Sequence, residues 1–376
     1  MIFLTQSLIA ALLTALFVVL LRRPAHRLGL LDEPGGRKRH GDVVPLTGGL
    51  AMALAVSVLF PFVVTDLNRY HALIAGAAVM LVIGVLDDRH EISAKVKLIG
   101  QIVAAVFMAA WGSVILINLG DIFGVGPVLL GNWGIPLTIF AAVGVINGIN
   151  MFDGLDGLAG GLCLSIVGAL AALAALAGHA SALTILTITL GACLGFLAFN
   201  APHRWRGRRR IFMGDTGALL LGFVIAWFTV ELSQQGQSPV PPVVMLWVVS
   251  VVLFDLFTVS VRRALRKRNP TAPDRAHLHH LLMRRGYSPP AAVALIVSSN
   301  ALLAATGIIG WRLGLPDYVL FLGFLLVGAA YVSAFMFPAR AARRARRRAS
   351  DRRAAATLSR ITAARSTESP THPQSR

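Results

Sequence analysis

The sequence predicts an all-α, polytopic integral membrane protein, and two observations carry that reading. Apolar stretches of roughly 20 residues, long enough as helices to cross a hydrocarbon core, recur from end to end of the 376-residue chain. Only 14% of residues are charged and 56% are hydrophobic, at a mean hydropathy of +0.71, where a soluble chain carries about a quarter charged residues. A membrane β-barrel does not fit, because its strands alternate and are only ~10 residues long.

The pattern predicts about 11 transmembrane helices, at 2–21, 46–65, 71–86, 98–117, 134–151, 158–177, 181–199, 215–233, 240–261, 291–311 and 317–337. Gly, Pro and charged residues punctuate nearly every gap. The first run has no positive residue before it and no small-residue cleavage site after it, so it reads as a retained helix rather than a signal peptide. Cys163 and Cys193 both fall inside apolar runs and read as small core residues, without disulfide or metal-ligand spacing.

Charge placement gives an orientation. Of the 35 Lys and Arg residues, only Arg69 and Arg312 fall outside loops 22–45, 87–97, 201–213, 262–290 and the segment from 338 onward. Positive residues collect on the cytoplasmic side. That distribution supports an odd number of spans, with the N-terminus outside and the C-terminus cytoplasmic. Residues 1–337 then form the membrane domain, and 338–376 form a basic cytoplasmic tail expected to be disordered. The net charge of +18 points to anionic membrane lipid at this tail. It does not point to nucleic acid, since no folded nucleic-acid module accompanies it. No internal repeat is visible.

With this topology, acidic residues from three separate segments gather on one membrane face. Asp87 and Asp88 adjoin Arg89, Lys95 and Lys97. Adjacent carboxylates repel one another, and nearby lysines compensate. The pair reads either as a solvated loop or as carboxylates that orient or deprotonate a phosphate nucleophile, with Lys97 holding phosphate charge. The second segment runs from Asn147 to Ala159. Asn147, Asn150, Asp153 and Asp156 recur every three residues, a spacing that shares one helical face. Helix-end capping explains one or two of these, not four.

In the third segment, Asp215 lies between Gly214 and Gly217 just before an apolar run. It reads as an N-cap or as a Mg²⁺ ligand, since Mg²⁺ takes one or two carboxylates plus phosphate oxygens. Phe212 beside it is suited to stack on a base. The run Arg204, Arg206, Arg208, Arg209 and Arg210 reads mainly as a topology signal. A fourth segment, Asp274-Arg275-Ala276-His277-Leu278-His279-His280, lacks both a thiolate and the i, i+4 histidine spacing of a helical zinc site. Arg275 with its histidines suits a diphosphate better. Asp255, inside the ninth apolar run, reads as a buttress of the site or as an internally paired acid. Glu231 reads as interfacial.

The four segments, in this order on one membrane face, resemble the polyprenyl-phosphate N-acetylhexosamine-1-phosphate transferase family over roughly residues 32 to 290. Asp32, Pro34, Arg37, Lys38, His40, Pro45, Gly48 and Gly49 also look like that family's first cytoplasmic loop, and the histidine segment looks more like the WecA branch than the MraY branch. The resemblance implies a bacterial cytoplasmic-membrane enzyme. It would move N-acetylhexosamine-1-phosphate, by expectation GlcNAc-1-phosphate, from a UDP-sugar to undecaprenyl phosphate and release UMP. This would be the first membrane step of a cell-envelope polysaccharide such as O-antigen.

The implied cofactor is Mg²⁺, with Mn²⁺ as a substitute, and Asp215 is its implied ligand. The implied catalytic set is Asp87, closest to the lipid phosphate, with Asp88, Lys97 and Asp156. Implied for substrate binding are Asn147, Asn150, Asp153, Asn200, Phe212, Arg275, His277, His279 and His280. A homodimer is compatible with the reading. Family members usually carry Gly-Asp-x-Gly-Ser, where this chain has Ala218. The alternatives are a phospho-muramoyl-pentapeptide transferase and, in a different class, an anionic-solute transporter. Transporters show repeats and midplane polar sites, and neither is visible here.

Overall fold

A computed structural model of the chain describes residues 2–32, 43–202, 210–235, 239–265 and 277–336. The chain divides into two compact units, Met1–Gly328 and Ala329–Arg376. Of the second unit, residues 329–336 are described, as the last turns of a helix. The segment 338–376, Arg275, and Pro34, Arg37, Lys38 and His40 lie outside the described residues.

The described residues are almost entirely helical. Helix α1 covers Ile2–Leu28, α2 Gly48–Val63, α3 His71–His90 and α4 Ala94–Val106, which continues as a π-turn to Trp111. Then follow α5 Gly134–Met151, α6 Leu158–Leu176, α7 Ala180–Asn200 and α8 Gly214–Gln234. The rest are α9 Pro242–Val248, α10 Ser250–Leu265, α11 Leu278–Arg284, α12 Pro289–Arg312 and α13 Asp317–Met336. A two-stranded antiparallel ribbon pairs β1, Leu31–Asp32, with β2, Val44–Pro45, in the register Leu31–Pro45 and Asp32–Val44.

Every predicted span is met by helix, with three corrections. Among the described residues, nine helical segments are long and apolar enough to cross a membrane. The predicted ninth span is not straight: α9 and α10 meet at a 77° bend and make a tenth crossing only if taken together. The second, α2, has 16 residues, about 24 Å of helix at 1.5 Å per residue. The fourth span starts earlier and stops earlier than predicted, at 94–111 rather than 98–117. Ser93 sets its start by accepting the Val96 N–H, and the following 112–133 is a loop tied by the Asn118–Leu129 bridge.

Helix α8 is the most enclosed of the spans. Around it pack α2, α3, α5, α6 and α9. Small residues permit this closeness: a Cβ on Gly49 would overlap the Gly217 backbone, and one on Gly84 would overlap Thr216. At the opposite end of α8, Glu231 in the last turn of the helix is enclosed by protein. Glu231 is 1% exposed. It pairs with Arg69 Nη2 at 2.9 Å and accepts from Trp227 Nε1 at 2.8 Å and Tyr70 Oη at 3.2 Å. A buried carboxylate persists because it is paired and hydrogen-bonded, and here it locks the turn that leads into α3 to α8.

Candidate active site

The site is assembled at the N-terminal end of α8, where a helix presents unsatisfied N–H groups and a positive dipole end. Gly214 opens the helix at φ +72°, in the left-handed region where glycine carries no Cβ penalty. The two N–H groups that follow, on Asp215 and Thr216, are capped from another helix. Asp88 accepts Asp215 N at 2.7 Å through Oδ1, and Thr216 N at 3.1 Å and Thr216 Oγ1 at 2.6 Å through Oδ2. Of the paired aspartates of α3, Asp88 therefore fastens α3 to the start of α8. The end of β2 and the first turn of α2 hold the same region: Pro45 O accepts Phe212 N, while Gly48 N and Gly49 N donate to Phe212 O and Met213 O, all at 2.9–3.0 Å.

Asp87 takes the other direction. It is 6% exposed, and Lys97 Nζ, from α4, lies 2.8 Å from Asp87 Oδ2 and 3.2 Å from Asp215 Oδ2. Three residues from three helices, at sequence separations of 10 and 118, thus form one carboxylate–ammonium–carboxylate relay. Asp215 remains 27% exposed and opens into a cavity of about 750 Å³. Asp32, Asp88, Asp153, Gly154, Asp156, Asn200, Arg210 and Phe212 line that cavity with it, and so do Pro289 and Pro290 at the start of α12. Its size falls within the usual range for small-molecule sites.

The second motif is split by the fold. Helix α5 stops at Met151, so the expected continuous polar face ends there. Asn147 turns to α4, where its amide exchanges two hydrogen bonds with Gln101, at 3.2 and 2.6 Å. Asn150 remains in the last turn, and its carbonyl accepts Asp153 N. Only Asp153 and Asp156, in the turn that leads to α6, reach the cavity. Asp153 is open to the cavity yet surrounded by its walls. That desolvation, then the charges of Asp88 and Asp156, push its carboxyl up to about 7 against an opposing Gly214 N–H. Asn200 ties two loops together, accepting Gly157 N at 2.6 Å and donating to Ile211 O at 2.9 Å.

Arg210, read from sequence as part of a topology signal, belongs to this wall. It forks onto Asp156 Oδ1 through Nη2 at 2.7 Å and Nε at 3.2 Å, and its guanidinium lies 4.5 Å from the centroid of the Phe212 ring.

None of the three histidines is among the residues that line the cavity. Asp255, on α10, accepts Leu278 N at 2.9 Å and stands 2.9 Å from His277 Nδ1, so the intramembrane acid pairs across to the start of α11. His277 and His279 are buried. His279 packs against the turn at Gly154, where a Cβ would stand 2.8 Å from Nε2. His280 is only partly covered, and its ring lies 4.1 Å from that of His279.

Among the described residues, no group of three or more His, Cys, Asp or Glu could enclose a metal ion. The donor set does fit a hard cation that keeps few protein ligands and shares phosphate oxygens: one half-open carboxylate, Asp215, in a cavity where Asp88, Asp153 and Asp156 add negative charge. A second, apolar cavity of about 430 Å³ lies between α2, α3, α7 and α8. Its lining stops at Gly217, below the close Gly49–Gly217 and Gly84–Thr216 contacts, so it is a separate space.

Comparison with known proteins agrees with this geometry. Residues 70–233, which include α3 through α8 and so the relay and most of the cavity wall, match glycosyl transferase family 4. The chain is 35% identical over 323 residues to the undecaprenyl-phosphate alpha-N-acetylglucosaminyl 1-phosphate transferase of Escherichia coli strain K12, covering 85% of this chain and 87% of that protein. Proteins of the same name from Yersinia pestis and Haemophilus influenzae are 33% and 32% identical, over 87% of this chain and 90% and 92% of theirs. With that identity sustained along nearly the whole of both chains, this protein belongs to glycosyl transferase family 4.

Proposed function

We propose that this protein transfers N-acetylglucosamine 1-phosphate from UDP-N-acetylglucosamine to undecaprenyl phosphate and releases UMP, at the cytoplasmic face of a bacterial inner membrane. The observation that carries the reading is the Asp87–Lys97–Asp215 relay at the edge of an acid-lined cavity. Such a place suits two phosphates that meet from opposite phases, one on a lipid and one on a water-soluble nucleotide. The names of the relatives favour N-acetylglucosamine over a muramoyl pentapeptide. Acids gathered at one end of the helices favour transfer over transport.

The reaction forms one P–O bond and breaks another. An oxygen of the lipid phosphate attacks the donor β-phosphorus, the bond to the bridging oxygen breaks, and UMP leaves with that oxygen. Such reactions depend mostly on positioning and charge stabilisation. Lys97 supplies a fixed positive charge at the junction of Asp87 and Asp215. Asp87 is the carboxylate set beside the incoming lipid phosphate, and Asp88 keeps the α8 N-terminus and Asp215 in place. Phe212, Asp153 and Asp156 form the nucleotide-sugar side of the cavity. Mg²⁺, held by Asp215 together with donor phosphate oxygens, would neutralise the diphosphate and the departing UMP.

The test is UMP release by purified protein in lipid, with UDP-N-acetylglucosamine and undecaprenyl phosphate each omitted in turn and Mg²⁺ removed by chelation. Release is expected only with all three. Asp215→Asn and Asp87→Asn are each expected to lower the rate by at least 10²-fold, the scale of one lost electrostatic or acid–base group, while the protein stays inserted. Release of UMP from no UDP-N-acetylhexosamine would end the reading. Trapping a labelled phospho-sugar on the enzyme without acceptor would replace direct attack by a two-step route.

A further inference from the structure

Arg210 has no task in the reaction as drawn above, yet among the described residues it is the one cation lining the polar cavity. Five carboxylates line the same space: Asp32, Asp88, Asp153, Asp156 and Asp215. A nucleoside diphosphate entering it meets like charge, and at short range that repulsion is large enough to prevent binding unless cations answer it. Lys97 is engaged by Asp87 and Asp215.

The contacts of Arg210 are those of a group poised at a wall. Its Nε and Nη2 both go to one oxygen of Asp156, and the two side chains keep 31% and 17% of their surface open. A half-open ion pair contributes little to the stability of a fold, so fastening the loop does not by itself account for it. The guanidinium also covers one face of Phe212, the aromatic ring of the cavity wall.

We propose that Arg210 is a residue that binds the donor's diphosphate. Its guanidinium exchanges Asp156 for phosphate oxygens and in doing so uncovers the Phe212 ring. A guanidinium is suited to this because its planar fork matches two phosphate oxygens at once, and the diphosphate as a whole carries more charge than the single carboxylate it replaces. The inference rests on the transferase reading. It adds that the site discriminates nucleoside diphosphate from nucleoside through this side chain.

The experiment compares wild type, Arg210→Gln and Arg210→Lys as full-length protein in lipid with Mg²⁺. It measures KM for each substrate separately, and inhibition by UDP and by uridine. Arg210→Gln is expected to raise the KM for UDP-N-acetylglucosamine by on the order of tenfold or more, the scale of a lost charge-assisted bond. The KM for undecaprenyl phosphate should stay within about twofold, since Arg210 is given no contact with the acceptor. The preference for UDP over uridine should shrink by the same factor as the donor KM rises. Arg210→Lys, which keeps the charge but not the fork, should fall between.

An unchanged donor KM with an unchanged UDP-to-uridine preference overturns the proposal, as does a rise confined to the acceptor KM. If Arg210→Gln does not fold, Arg210→Lys decides on the same two measurements. Failure of the wild type to release UMP at all would instead strike the transferase reading, so the two failures are distinct.

Discussion

His279 shows how one buried side chain ties pH to stability. It is 2% exposed, and among the described residues no hydrogen-bond partner meets its Nδ1. Burial first, then the neighbouring His280 and His277, lower its pKa to about 3, against about 6.5 in an unfolded chain. The folded state therefore holds this ring neutral. Between pH 6.5 and 3 the unfolded chain binds a proton that the folded chain does not, so stability is complete above pH 6.5 and falls as pH drops. The ceiling of the effect is about 1.4 kcal/mol per pH unit. The thermal midpoint of purified protein is expected to fall from pH 7.5 to 5.5, and to fall less in His279→Gln. An equal drop in the two proteins would refute this. The same position shows a limit of reading from sequence. The histidine segment looked like a ligand-facing triplet, but its spacing could not disclose that His279 packs against the Gly154 turn and that His277 pairs with Asp255.

At the level of elements, the bend between α9 and α10 is the feature that sequence concealed. The run 240–261 is predominantly apolar and has no Gly or Pro at the bend beside Val249, so nothing in its pattern predicts a 77° turn. Partners from a distant helix explain how it is tolerated. A broken helix leaves carbonyls without intrahelical donors. Asn300 of α12, fully buried, donates Nδ2 to Val248 O at 3.2 Å and contacts Ser165 Oγ at 3.2 Å. The bend aims α10 so that Asp255 reaches His277 and the Leu278 N–H. Asn300→Ala removes the carbonyl's partner and is expected to destabilise the protein by about 1–2 kcal/mol, as for polar contacts between membrane helices. Ser298→Ala, two residues away on the exposed face of α12, is the control expected to leave the midpoint unmoved. Matching midpoints for the two variants would mean that the bend does not depend on Asn300. The straight elements, by contrast, were legible, because a run of apolar residues between Gly, Pro and charged loops specifies a membrane helix by length alone. The relay was half legible: sequence brought Asp87, Lys97 and Asp215 to one face. Only the fold shows that Asp88 caps α8, that Asn147 pairs with Gln101 and that Arg210 is part of the wall.

At the scale of the whole molecule, orientation is the expectation still to be measured. Asp87, Asp215 and the turn after α5 lie at one end of their helices, while the Glu231–Arg69 pair and the loop 112–133 lie at the other ends of α8, α3, α4 and α5. The placement of Lys and Arg predicts that the first end faces the cytoplasm. The chain lends itself to a direct test because both of its cysteines, Cys163 and Cys193, are buried and give little background labelling. Val125 is 88% exposed at the tip of the loop after α4, and Lys95 is exposed at the start of α4. In intact spheroplasts, a membrane-impermeant maleimide is expected to label Val125→Cys at once and Lys95→Cys only after permeabilisation. The reverse pattern would put the acid-lined cavity on the outer face, where UDP-sugars made inside the cell could not reach it, and the proposed reaction would fail on topology before any question of chemistry arose.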